Sequence, residues 1–171
     1  MTAAVFVDTN VFIHARDSRE PRKQRIAASW IQHLWQVQAG RTSVQVLSEY
    51  YVNVTRRLPL RLSPDEAWDD VQTLLAWNPQ AVDRHVLEAA REIERRYRLH
   101  WWDSQIVAAA DMQGCTLLLT EDLQDGASYG GVTVRSPFTL AVSEAASAYA
   151  ATPAPASRHR PRGRPRKVAA G

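Results

Sequence analysis

Residues 4–15 read AVFVDTNVFIHA, and their pattern decides the fold class. Residues 4–8 are a short apolar run ending in an acid, Asp8, and the stretch from Thr9 onward reads as a strand-to-helix turn. The chain therefore opens with a βα unit. Further on, Ile26, Trp30, Leu34 and Val37 recur at helical spacing after Pro21, with Gly40 placed to close the helix. Val44, Leu47, Tyr50, Tyr51, Val54 and Leu58 mark another helix, which Pro59 ends. Ser63, Pro64 and Glu66 form a capping box with proline in the first helical position, and Trp68, Val71, Leu74 and Leu75 follow on one face. Asp83 caps a helix through Val86, Ala90, Ile93 and Tyr97, and residues 102–112 form one more, closed by Gly114. Residues 115–119 are a continuous apolar strand of the kind buried on both faces, residues 132–134 a last short strand, and residues 80–82 a minor one. Strands alternating with helices predict an α/β fold, a parallel sheet of about five strands with helices on both sides.

Composition supports one domain with a core, since 45% of the 171 residues are hydrophobic. No stretch reaches the roughly 20 consecutive apolar residues of a membrane span, and no basic-then-apolar leader precedes residue 4, so a cytoplasmic protein is expected. Cys115 is alone and sits in the apolar run CTLLL, which makes it a small buried hydrophobe. The net charge of +3 conceals an asymmetry. Six of the 21 basic residues lie beyond residue 157 in an acid-free tail, leaving 15 against all 18 acids in the body. The domain is thus expected at residues 1–144, and an Ala/Pro/Arg-rich tail, disordered when free, at 145–171.

In open parallel sheets, functional groups gather beyond the carboxyl ends of strands. Asp8 ends the first strand, Asp122 follows the strand at 115–119, and Asp103 stands at a helix N-terminus, where the macrodipole favours negative charge. Glu49 lies within a helix, with Val46, Asn53 and Arg56 on its face. Each acid also has a local use: Asp8 and Asp103 as helix caps, Asp122 as a turn residue, Glu49 as a solvated surface group. Their joint placement carries the chemistry. Four gathered carboxylates repel one another unless a cation neutralises them, and hard ions such as Mg2+ and Mn2+ take carboxylate and water ligands. That set suits phosphodiester hydrolysis by an activated water.

Taken in order, VFVDTNVFIHA, TSVQVLSEYYVN, WWDSQIVAAA, LLLTEDLQDG and VTVRSPF resemble the PIN-domain family, and more narrowly the toxin members of VapBC toxin–antitoxin systems. The resemblance spans about residues 4–140. It implies a parallel sheet flanked by helices, an endoribonuclease dependent on Mg2+ or Mn2+, a cognate antitoxin that blocks the site, and a homodimer. The four family acids fall on Asp8, Glu49, Asp103 and Asp122. Thr120 sits where the family often has a hydroxyl, and Thr9 and Asn10 match the residues that shape the turn after the first acid. Asp125 is either a supporting or alternative ligand, or the start of an Asp-Gly turn with Gly126.

Competing chemistries lack their parts. Aspartyl phosphatases need a second Asp two residues after the first, where this chain has Asn10, and receiver domains need a lysine near the fifth strand, whereas the body has only Lys23. No glycine-rich phosphate loop follows the first strand, and His14, His33, His85 and His100 show no metal-ligand spacing. Trp101 and Trp102 precede Asp103; core packing of at least Trp102 is expected, with base stacking as the alternative. Arg56, Arg57 and Arg61, with Arg95, Arg96 and Arg98, either contact RNA phosphates or form solvated helix ends. In the tail, Pro161 to Pro165 looks like the core of an AT-hook, in which Arg162 and Arg164 would enter the narrow minor groove of A/T-rich DNA. The other reading of the tail is a generic basic segment. A non-catalytic nucleic-acid-binding module that works through this tail is the alternative to an enzyme.

Overall fold

Strand β1 (Val5–Val7) sits inside a five-stranded sheet of order β2-β1-β3-β5-β4. The computed structural model describes residues 3–57, 59 and 61–148. Strands β2 (Gly40–Arg41), β1, β3 (Leu117–Leu119) and β5 (Val132–Arg135) run parallel, and β4 (Ser128–Tyr129) closes the edge antiparallel to β5. The register aligns Val7 with Leu119, so β1 and β3 end side by side. All six residues of these two strands are buried, the expected state of short apolar runs covered on both faces. The chain leaves β1 toward β2 on one side and returns past it to β3 on the other. That reversal makes the β1/β3 ends a topological switch point, where the loops diverge and leave a crevice.

Helices α1 (Thr9–Arg16), α2 (Pro21–Gln36), α3 (Val44–Val52), α4 (Pro64–Leu74), α5 (Arg84–Tyr97), α6 (Trp101–Met112) and α7 (Val142–Ala148) flank the sheet. The starts of α4 and α5 follow the cap chemistry. The Ser63 hydroxyl accepts from the Glu66 N–H while the Glu66 carboxylate accepts from the Ser63 N–H, and Asp83 accepts from the Val86 N–H. The core packs Phe6, Trp30, Leu34, Tyr50, Trp77 and the β3 leucines between the layers, and a smaller cluster of Val86, Ala90 and Ala108 joins α5 to α6. Among the described residues no helix is long and apolar enough to cross a membrane.

Several local expectations change. Gly40 does not close α2; Gln38 takes the left-handed conformation (φ 54°), and Gly40 lies in β2 under the Trp77 ring. The helix starting at Val44 loosens into a π-turn at Asn53–Arg57. The minor strand expected at 80–82 reduces to a single bridge between Ser43 and Gln80. Helix α7 runs across the boundary expected at 144/145, and Ala145 is buried in the core. Arg162 and Arg164 lie outside the described residues.

Candidate active site

The ends of β1 and β3 are joined through side chains. Asp8 follows β1, its N–H donates to the Leu119 carbonyl (3.1 Å), and its side chain is buried. One carboxylate oxygen accepts from the Thr9 N–H (2.7 Å) and the other from the Thr120 hydroxyl (2.8 Å). Burial nevertheless pushes its carboxyl up from 3.8 to about 6; the Thr120 and Thr9 hydrogen bonds oppose this, and the charges of Asp122 and Glu49 add to it.

Asn10, the second residue of α1, ties the second strand end to the first. Its amide donates to the Thr120 hydroxyl (2.8 Å), to Asp122 (2.9 Å) and, at the limit of a hydrogen bond, to the second Asp8 oxygen (3.5 Å). The Asp122 N–H donates in turn to Thr120 Oγ1 (3.1 Å). Glu49 enters from α3, held through one oxygen by the Thr9 hydroxyl (3.1 Å) and through the other by the Gln45 amide (3.0 Å). Asp103 sits in the first turn of α6, partly buried. Burial raises its pKa, the charge of His100 opposes the rise, and Asp122 and Glu49 reinforce it. The charges of Asp122 and Glu49 act on both Asp8 and Asp103, which links the four acids electrostatically.

The chemistry of this donor set fits a hard divalent cation. Every group is an oxygen donor, and the Asn10 amide oxygen is buried without a hydrogen-bond partner among the described residues, the state of an atom awaiting water or an ion. Among the described residues no group of three or more His, Cys, Asp or Glu side chains is placed to hold a metal ion. Mg2+ does not require one, because it binds through one or two carboxylates and keeps its waters for phosphate to displace.

Thr9, Asn10 and Thr120 thus stand inside the network. Asp125 does not. Its carboxylate accepts from Arg135 Nε (2.9 Å), the Ser136 N–H (2.9 Å) and the Thr139 hydroxyl (3.0 Å), so it clasps the end of β5 to the turn that precedes β4. The Ser136 N–H, foremost, holds its pKa below the usual range. Gly126 after it has φ 83°, as an Asp-Gly turn needs. Arg56 is exposed on the π-turn, and its neighbour Arg57 faces the cavity beside Glu49. The core packing expected of Trp102 is not found: Trp102 is 63% exposed, and it is Trp101 that packs against the α5/α6 cluster. Sequence reading missed Gln45, although its place four residues before Glu49 puts both on one helix face. It also missed Glu121, which receives Lys23 (2.9 Å) and the ring of His14 beside the site.

A parallel sheet whose central strand ends deliver acids to one crevice defines a carboxylate-centred α/β protein. The PIN-domain family model matches residues 5–124, and the chain belongs to that family. In fold it is similar to a chain in the structure of FitAB bound to an IR36 DNA fragment, with 18% identity, a TM-score of 0.61, and coverage of 80% of this chain and 97% of that one. It is also similar to a chain of a toxin–antitoxin complex from Klebsiella pneumoniae, with 20% identity, a TM-score of 0.51, and coverage of 79% and 98%. No curated protein is significantly similar to it in sequence.

Proposed function

We propose that the protein is a metal-dependent endoribonuclease and the toxin of a type II toxin–antitoxin pair. The observation that carries this reading is the hydrogen-bonded chain from Asp8 through Thr120 and Asn10 to Asp122, with Glu49 and Asp103 electrostatically coupled to it. Asp8, Glu49, Asp103 and Asp122 would hold Mg2+ or Mn2+. When bound, the cation makes a water more acidic and offsets charge at the phosphorus centre. The chain's own residues orient the acids. Thr120 and Thr9 fix the two oxygens of Asp8, Asn10 turns Asp122 toward Asp8, and Thr9 with Gln45 fixes Glu49.

PIN-domain membership and the resemblance to VapBC toxins support RNA as the substrate and the cytoplasm as the place of action. Two structural neighbours, one in a FitAB complex with DNA and one in a toxin–antitoxin complex, support a protein antitoxin as partner. A homodimer is part of this reading, as is contact of Arg162 and Arg164 with A/T-rich DNA. The test is cleavage of single-stranded RNA by the purified protein with Mg2+ or Mn2+, with EDTA, and with Asp8→Asn. Cleavage lost in both EDTA and the variant is the expected result; cleavage indifferent to either overturns the mechanism. For the tail, deletion of residues 151–171 should weaken binding to an A/T-rich duplex, and unchanged binding removes the AT-hook.

A further inference from the structure

A cavity of about 450 Å3 opens against the site, and Glu49 belongs to both. Its size lies within the range of about 300–1,000 Å3 typical of pockets that hold small organic groups. One wall is the indole of Trp102, the residue before Asp103, 63% exposed although it starts an apolar helix. Val44 and Val82, also exposed, extend the apolar surface.

Facing this surface are groups of a different kind. The Gln45 amide is committed as a donor to Glu49 (3.0 Å) and to the Trp102 carbonyl (3.4 Å), which leaves its own oxygen to accept. The Gln105 side chain lines the cavity, is 3% exposed, and forms no hydrogen bond among the described residues. Arg57 stands at the cavity with no ion pair among the described residues. A flat exposed ring, neutral amides able to read an edge and a free guanidinium are the three elements that bind an unpaired nucleotide by stacking, hydrogen bonding and phosphate contact.

We propose that this cavity seats a nucleobase of the RNA strand next to the cleaved phosphodiester, stacked on Trp102, with its edge toward Gln45 and Gln105 and its phosphate toward Arg57. The inference rests on the nuclease reading and deepens it: Trp102 is a specificity-determining residue, separate from the acids. Continuity with Glu49 favours a nucleotide over a protein segment, because a base held here leaves its neighbouring phosphate beside the carboxylates.

The experiment compares wild type, Trp102→Ala, Trp102→Phe and, as a control, Trp68→Ala, whose exposed ring lines a neighbouring cavity with Leu75 that includes neither Trp102 nor Glu49. Each is tested for Mg2+-dependent cleavage and anisotropy-detected binding of a short single-stranded RNA of mixed sequence, with mapped cut sites. Trp102→Ala should raise KM about tenfold, leave kcat within about twofold, and relax the preference at one nucleotide beside the cut, while Trp102→Phe keeps most of the affinity. Trp68→Ala should match wild type. Cleavage by Trp102→Ala with wild-type KM and preference overturns the pocket and leaves the nuclease intact. Loss of self-association in Trp102→Ala, with RNA binding unchanged, overturns it in favour of a protein interface. A wild type that binds RNA through Trp102 without cutting it overturns the nuclease and keeps the pocket; no RNA binding overturns both.

Discussion

Thr120 donates its hydroxyl to Asp8 over 2.8 Å, bridging positions 112 residues apart in sequence. The same oxygen accepts from the Asn10 amide and the Asp122 N–H, so one fully buried hydroxyl sets the positions of two acids. Thr120→Val preserves the shape and removes all three contacts. It should lower stability by about 2 kcal/mol, the cost of leaving buried polar groups unpaired, as read from urea midpoints. It should also cut the proposed metal-dependent activity at least about tenfold, because the acids lose their orientation. Thr120→Ser, which restores the hydroxyl, should recover most of both.

Asp8 makes the metal-free protein acid-favouring. Its carboxyl titrates at about 6 in the folded chain against 3.8 as a free group, so the folded state binds the proton more tightly. The stabilisation is complete below pH about 4 and is lost as pH rises through about 6. Over that window, denaturation in EDTA should show stability falling by about 3 kcal/mol, since each pKa unit corresponds to about 1.4 kcal/mol. Asp8→Asn should flatten the fall, and Mg2+ or Mn2+ should reverse it in wild type only. Asp103 titrates in the same direction and contributes the residual slope in the variant.

The parts of this molecule that were legible in sequence are those whose signal is local. Strands β1 and β3 stand out as apolar runs ahead of acids, and the Ser63 and Asp83 caps are written in neighbouring residues. Strands β2 and β4 have two residues each, too few for any period to exist. Trp102 was misread because α6 is buried from Ser104 to Ala110 without interruption, which leaves no polar stripe to show which way its first turn faces. The acids could be found singly, but Asn10 as the bridge between Asp8 and Asp122 depends on β1 and β3 ending in register. The Asp125 turn was visible; its partners Arg135, Ser136 and Thr139 arrive only through tertiary folding.

Gly40 is required by contact, not by backbone freedom. A Cβ built there would lie 2.5 Å from the Trp77 ring, and that ring is itself packed against Phe12 (5.9 Å between centroids) and Trp35 (5.4 Å). The indole is itself buried, so moving it disturbs these two contacts. Gly40→Ala should therefore cost about 1–3 kcal/mol through overpacking. Gly131→Ala is the matched control: its nearest neighbour is Asp111 Oδ1 at 3.7 Å, an ordinary contact, and the expected change is within about 0.5 kcal/mol. Equal thermal midpoints for the two variants would remove the role given to Trp77.

Asp122 and Asp125 are three residues apart and carry the same group, yet the hydrogen bonds assign them to different tasks. Asp122 shares the Asn10 amide with Thr120, whereas Asp125 is occupied by Arg135, Ser136 and Thr139. Asp122→Asn should raise the Mg2+ concentration for half-maximal cleavage by about tenfold to a hundredfold, with a small effect on stability. Asp125→Ala should do the opposite. It frees a clasp of three hydrogen bonds at the surface and should lower stability by about 1–2 kcal/mol while the metal dependence stays that of wild type. Because folding depresses the Asp125 pKa, its contribution is present above the carboxylate's ordinary range and is lost as pH falls below it. The stability gap between wild type and Asp125→Ala should therefore close below pH about 4. A metal requirement that shifts in Asp125→Ala and not in Asp122→Asn would exchange the two assignments, since only a carboxylate facing the other acids can alter the affinity for the proposed cation.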